Sequence, residues 1–435
     1  MKSQSILLSL WILGLVTTPA MADEPPDGFR VLFDGKTLDG WTARPHYDPR
    51  KLAEMSDADR DQQLQAWMKD ARKHWSVQNG ELVNDGKGPY LTTKDSFRDF
   101  ELRLQYKTVP LADSGIYLKA TPQVQIWDFT DPEKFKHRAE LGSGGLWNNS
   151  PGAAGKDPLV LADRALGEWN DFRIIQVGAR TTVYLNDHLV VDHATMENFW
   201  DRQSPLFVDG PIQLQTHGGE IRWRNLHIRE LDAAAANEVL AGHQAVAFKP
   251  LFNGKDFNGW QGAVDDYQVV DGAISCRAGK GGNLLTKDEY GNFTVRLEFR
   301  LPPGGNNGLA IRSPLSGDAS VDAFCELQVL DNSAKKYAKL DPRQYHGSVY
   351  GVIPARRGYL REPGQWNFQQ VTIDGTQVTV ELNGTVILSG DVSQVDSFMD
   401  GKDHPGISRK RGHFGFAGHR DPVEFRNIAI RELAQ

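Results

Sequence analysis

The chain repeats itself. LFDGKTLDGW (32–41) returns as LFNGKDFNGW (251–260), GEWN (167–170) as GQWN (364–367), and RWRNLHIREL (222–231) as EFRNIAIREL (424–433). The signatures keep their order in both halves, so the chain reads as two tandem domains of about 200 residues, not as a solenoid. At 435 residues it also exceeds the roughly 250–300 at which one core stops growing. The expected division is residues 28–231 and 248–435, joined by an Ala-rich linker at 232–247 that can form one short helix.

Within each copy the apolar residues alternate. FELRLQYKT (100–108), TTVYLNDHLVVD (181–192), FTVRLEFRL (293–301) and QVTVELNGTVIL (377–388) all follow a period of two. Asn186-Asp187 and Asn383-Gly384 are two-residue hairpin signals inside them. Many short strands with little helix predict an all-β chain, each copy an antiparallel sandwich or jelly roll. Copy one carries an insert at about 50–74. There Leu64, Trp67, Met68 and Ala71 fall on one helical face behind Ser56 as cap, which predicts a helix packed on the sandwich edge or, alternatively, a lid.

The apolar run at 6–16 behind Lys2, followed by Ala20-Met21-Ala22, reads as a cleaved signal peptide over 1–22. That implies a periplasmic or secreted protein with no membrane span. A net charge of −7 with no basic run argues against nucleic acid as a partner. Two cysteines, Cys276 and Cys325, exclude a disulfide scaffold; Cys325 reads as a core thiol, with a Cys276–Cys325 pair as the alternative.

The strands also carry polarity where one face should be apolar. In 323–331, Cys325, Leu327 and Val329 share one face while Glu326 and Gln328 share the other. In 122–128 the polar face is Gln123, Gln125 and Trp127. Arg312, Tyr117 and Lys119 are expected on the same outward faces, as are Gln213, Gln215 and His217, with His419 ending its strand. Such a face suits a sugar: amides and charges bind hydroxyls, while Trp127 and Trp147 offer stacking platforms. Solvent-facing residues of an ordinary half-exposed sheet are the plain alternative. Trp169 and Trp366 are expected as core anchors. Glu326 and Asp331 are an odd number of residues apart, so no facing carboxylate pair of the retaining-glycosidase kind is visible.

Taken together, LFDGKTLDGW, SGIYLK, VQIWD, GEWN and GPIQLQTHGGEIRWRNLHIREL resemble the bacterial 3-keto-disaccharide hydrolase family, also described as 3-keto-glucoside 1,2-lyases and 3-keto-2-hydroxyglucal hydratases. The second copy matches through ELQVLD, YHGSVYGVIPARRGYL and GHFGFAGHRDPVEFRNIAIREL. The resemblance implies two concanavalin A-like jelly rolls and an exported enzyme acting on 3-keto-glycosides. A C3 ketone acidifies the C2 proton, so a base, an electrophile and an acid suffice for elimination and rehydration. In copy two the expected groups are Glu326 or His419 as base, Arg312 as electrophile, and His346 or Tyr350 as acid, with Gln328 and Asp331 holding hydroxyls. In copy one they are Lys119, Gln125, Asp128, Gln215 and His217. A divalent metal on His346, His413, His419 and Glu326 is an alternative electrophile; no other cofactor is expected. A lectin-like binding protein and a direct hydrolase are the competing functions.

Overall fold

The computed structural model describes residues 24–401 and 403–434; the leader expected over 1–22 lies outside them. The alternating segments form strands, and the strands form two jelly-roll sandwiches with identical strand order. In copy one the back sheet runs His188–Thr195, Arg180–Leu185, Asn170–Val177, Phe100–Thr108, Ile221–Glu230, Glu81–Asn84, Trp75–Gln78, with Arg30–Val31 beside Ile221–Glu230. Its front sheet runs Trp41–Arg44, Tyr90–Thr93, Gln213–Leu214, Asp113–Leu118, Thr121–Trp127. The front sheet of copy two is Trp260–Gly262, Asn283–Tyr290, Gly412–Gly418, Asn306–Ser313, Cys325–Leu330. Both predicted hairpin turns hold both central residues left-handed: φ is 49° and 65° at Asn186-Asp187, and 49° and 78° at Asn383-Gly384.

Each pair of sheets encloses its own core. Trp41, Leu102, Ile116, Val124 and Trp223 meet in the first; Trp260, Leu297, Leu309, Leu327 and Phe416 meet in the second. Cys276 and Cys325 are both buried in the second core as free thiols. Trp169 and Trp366 are not core anchors. Each lies half-buried under cations from the back sheet, Trp169 below Arg224 (4.1 Å) and Lys107 (4.6 Å), Trp366 below Arg426 (4.0 Å) and Arg300 (4.8 Å).

Two helices, α1 (Pro49–Ala53) and α2 (Asp57–Ala71), fill the insert. Ser56 caps α2 by accepting from the Asp59 amide, and Trp67, Met68 and Ala71 pack on the first core beside Trp41–Arg44. The helix α2 therefore braces the sandwich edge. Between the copies, α3 (Ala233–Gly242), capped by Asp232, buries Leu240 and Ala236 against Val177 and Phe368. Around it Arg180 Nε donates to Glu381 at 3.0 Å, and the Ala179 amide donates to the Gly384 carbonyl at 3.0 Å. No helix among the described residues is long and apolar enough to cross a membrane.

Candidate active site

Alternation along the front sheet of copy one sends Trp41, Ala43, Leu91, Leu214 and Ile116 into the core. It sends Arg44, Tyr90, Thr92, Gln213, Gln215 and Tyr117 to the opposite face. The register sets two rows across the strands: Thr42, Thr92, Gln213 and Tyr117, then Arg44, Tyr90, Gln215, Gly115 and Gln125. Asp113 lies one step further along its strand, opposite Trp127. A glycine in mid-strand makes room here. A Cβ on Gly115 would meet the Val124 carbonyl at 2.9 Å and the Gln123 and Gln215 side chains at 3.1 Å.

The titratable groups of this face are coupled. His217 Nδ1 lies 3.0 Å from Asp113 Oδ2, and Lys134 Nζ holds the same oxygen at 2.7 Å. Burial alone would raise the Asp113 carboxyl, but the bonds from His217 and Lys134 outweigh it and hold it below the usual range. The hydrogen bond to Asp113 raises His217 in turn, against its partial burial. His46 Nδ1 lies 2.8 Å from the Tyr117 hydroxyl. Burial first, and then the charge of His217, lowers His46 below an ordinary imidazole. Its ring packs on Phe199 (5.2 Å) and Trp200 (4.8 Å), and the segment around it is pinned by Arg50, which donates to Asp48 and to the Trp200 carbonyl. The Tyr117 hydroxyl also meets Tyr90 and the Gln215 amide, and burial raises its pKa. Sequence reasoning missed His46 and Arg44. Both stand in RPHYDP, which has no counterpart after Trp260, and a His between two strand-edge signals is the only trace they leave.

Copy two differs. Its register places Leu285, Gly415, Ala310 and Ala417 where copy one has Thr92, Gln213, Tyr117 and Gln215, and Ala263 follows Trp260 where Arg44 follows Trp41. Leu285, Ala310 and Ala417 bury Ala319, which arrives on a connection that copy one replaces by a tight turn. What recurs is the histidine and one amide: His419 Nε2 lies 3.3 Å from Glu326 Oε1, a bond that raises the imidazole, and Gln328 stands where copy one has Gln125. The carboxylate stands at the Asp113 position in copy one and at the Gln123 position, as Glu326, in copy two. Glu326 lies over Gly308, the counterpart of Gly115, so the mid-strand glycine recurs with its reason. Tyr350 joins this group, its amide donating to the Glu326 carbonyl at 2.9 Å and its hydroxyl accepting from Gln344 at 3.0 Å. The Gln328 amide donates to Asn306 at 2.8 Å.

Several expected site residues are structural. Arg312, at φ 48°, turns away and donates to the carbonyls of Gly291 (2.8 Å), Gly375 (2.9 Å) and Arg409 (3.1 Å), and to Asn292 (2.9 Å). Lys119 occupies the same position with φ 54°; its ammonium, pushed down to about 8 by burial, donates to the Gly178 carbonyl at 2.8 Å. The left-handed backbone breaks the alternation, so both cations leave the polar face. Asp331 accepts from the Gly304 and Ser333 amides, and Asp128 from those of Leu111 and Thr130. Their recurrence marks loop architecture. His346 is fully buried, stacked on Phe299 at 4.9 Å, and pushed down to about 3 by desolvation. Its neutral ring belongs to the interior, remote from acid chemistry at neutral pH.

Gln125 donates to Asp113 at 3.0 Å and accepts from Gln123, so it orients the carboxylate. Trp127 carries Lys134 over its ring at 5.6 Å and meets the edge of Trp147, whose own face holds Lys156 at 4.3 Å. The four residues named as candidate metal ligands do not converge, since His413 lies against Glu289 (3.7 Å) and the Asp288 carbonyl. Among the described residues no group of three or more His, Cys, Asp or Glu side chains is arranged for a metal ion.

The sequence profile of a 3-keto-alpha-glucoside-1,2-lyase-like domain matches residues 28–229 and 247–431. A 3-keto-disaccharide hydrolase of Bacteroides thetaiotaomicron is 26% identical over 246 residues, covering 47% of this chain and 85% of that protein. Two crystal structures titled "putative glycosyl hydrolase" from Parabacteroides distasonis are 24% and 29% identical. They cover 44% and 43% of this chain and 96% and 99% of theirs, each with a TM-score of 0.39.

Proposed function

The chain belongs to the 3-keto-alpha-glucoside-1,2-lyase-like family, and from that premise we propose that it cleaves 3-keto-glycosides by elimination across C1–C2 followed by hydration. The observation that carries this reading is the pair of histidines on one face with opposed environments: His46 lowered by burial, His217 raised by Asp113. Groups pushed apart in this way make a base and an acid at the same pH. With Nδ1–H donating to the Tyr117 oxygen, His46 keeps Nε2 unprotonated for the C2 proton. That proton's electron pair forms C2=C3 and leaves an enolate on the C3 oxygen. The enolate collapses, C1=C2 forms, the C1–O bond breaks, and His217 protonates the departing oxygen. Water then adds as hydroxyl at C1 and proton at C2, which completes a net hydrolysis. In copy two, Glu326 and His419 form the corresponding proton-transfer pair, with Tyr350 and Gln328 beside it.

A ketone at C3 is indispensable to this scheme. The mature protein should release the aglycone from a methyl 3-keto-glucoside and leave methyl glucoside, its alcohol parent, untouched. Equal cleavage of both would establish direct hydrolysis, and binding of both without cleavage would make the protein lectin-like. Export through the leader at 1–22 is part of the proposal, and puts the reaction outside the cytoplasm.

A further inference from the structure

The mechanism above lacks one component, a group to hold the enolate oxygen, and copy one carries an unused cation on the same face. Arg44 Nε and Nη1 are buried and have no hydrogen-bond partner in the fold. Burial pushes the guanidinium down to about 10. Two buried N–H groups of a cation left without acceptors are unfavourable and persist where something else compensates them. A second orphan, Gln215 Oε1, lies two strands away in the same row, about 10 Å between backbones at ordinary strand spacing. Tyr90 stands between them in the row, and Gln215 Oε1 is turned toward Gly115 on the strand beyond. His46 is two residues beyond Arg44, and the Asp113–His217 pair lies one step along the sheet.

We propose that Arg44 is the electrophile of the reaction, holding the C3 oxygen as its charge develops, and that elimination therefore takes place on copy one. This rests on the reaction proposed above. The guanidinium donates to the ketone oxygen and strengthens that bond as the C2–H electron pair moves onto oxygen, which acidifies C2; no oxidant or further reactant is involved. In copy two the same position is Ala263, and the face beside it is closed by Leu285, Ala310, Ala319 and Ala417. Glu326 and His419 pair there at 3.3 Å, and Arg312, the cation at the Lys119 position, is held by three carbonyls and Asn292.

Arg44→Met keeps the side-chain volume and removes the charge. It should lower kcat on a 3-keto-glucoside ~100- to 1,000-fold, the loss of one oxyanion donor, with KM within a few-fold of wild type. Arg44→Lys should recover part of kcat. The melting temperature of Arg44→Met should hold or rise, because two buried N–H groups without acceptors are being removed. Ascorbate, whose monoanion carries its charge on an enolic oxygen, should bind wild type at least about tenfold more tightly than Arg44→Met under anaerobic conditions. An unchanged kcat, a rise in KM alone, or a fall in melting temperature parallel to the loss of activity would each overturn the assignment. If the wild type cleaves no 3-keto-glycoside, the reaction is wrong. Ascorbate affinity still decides Arg44: dependence on Arg44 keeps it as an anion-holding group, and equal affinity removes that role as well.

Discussion

At the scale of single residues, the proposed chemistry rests on imidazoles that differ only in what surrounds them. His217 and His419 each lean on a carboxylate and are raised; His46, His193 and His346 are desolvated and lowered, the last two to about 3. The kcat/KM profile should therefore be a bell around the ordinary histidine value of about 6.5, its acid limb set by His46 below that value and its basic limb by His217 above it. Asp113→Asn should move the basic limb down, which initial rates across pH 5 to 9 would detect; an unmoved limb would remove His217 as the acid. The stability consequence has the opposite sign for the two classes. Stability from His217 is full below about 6.5 and is lost as pH rises through its raised value. The buried His193 and His346 act in reverse, giving a protein that weakens as pH falls from about 6.5 toward 3. None of this was legible from residue types: His346 looks like a catalytic histidine in the chain and is a core residue in the fold. Strand alternation alone puts Gln125, Gln215 and His217 on the outward face of copy one, and Glu326, Gln328 and His419 on that of copy two.

Secondary-structure elements explain where that alternation fails. Arg312 and Lys119 follow four regular strand residues, and a strict period of two predicts both on the polar face. The left-handed residue at that turn rotates each cation off it and into a cluster of carbonyls. Because the buried Arg312 donates to three carbonyls, that of the buried Gly291 among them, Arg312→Ala should lower stability by about 1–3 kcal/mol in denaturant titration, and any loss of activity should track unfolding. A stable Arg312→Ala protein without turnover would return Arg312 to the catalytic set. The helix α3 is a second case. Its Ala-rich sequence predicted a linker able to form one short helix; that helix also buries Leu240, 1% exposed, against Val177 and Phe368. Leu240→Ala should cost about 2–5 kcal/mol and split calorimetric unfolding into two transitions, one per copy. A single unsplit transition would mean that the copies are coupled mainly by other contacts, such as Arg180–Glu381. The insert helix α2 was readable to its cap, since Ser56 and the spacing of Leu64, Trp67, Met68 and Ala71 are local signals.

At the scale of the whole molecule, two sandwiches of one strand order have diverged on the face that matters. The repeated signatures are those of the scaffold: the Asn-Gly and Asn-Asp turns, the glycine beneath Gln123 or Glu326, and the aspartates that order the loops. They made the fold, the duplication and the family legible, because backbone geometry constrains them in the same way twice. Where copy one has Thr92, Tyr117, Gln213 and Gln215, copy two has Leu285, Ala310, Gly415 and Ala417, and no repeated signature announces that difference. The central claim is that the protein breaks the glycosidic bond through carbon 2. It is tested most directly by proton NMR of the purified protein with a 3-keto-glucoside in deuterated water, against an enzyme-free control. The account predicts released 3-keto-glucose carrying enzyme-dependent deuterium at C2, with 2-hydroxyglucal appearing transiently. Release of a sugar that keeps its C2 proton would contradict it.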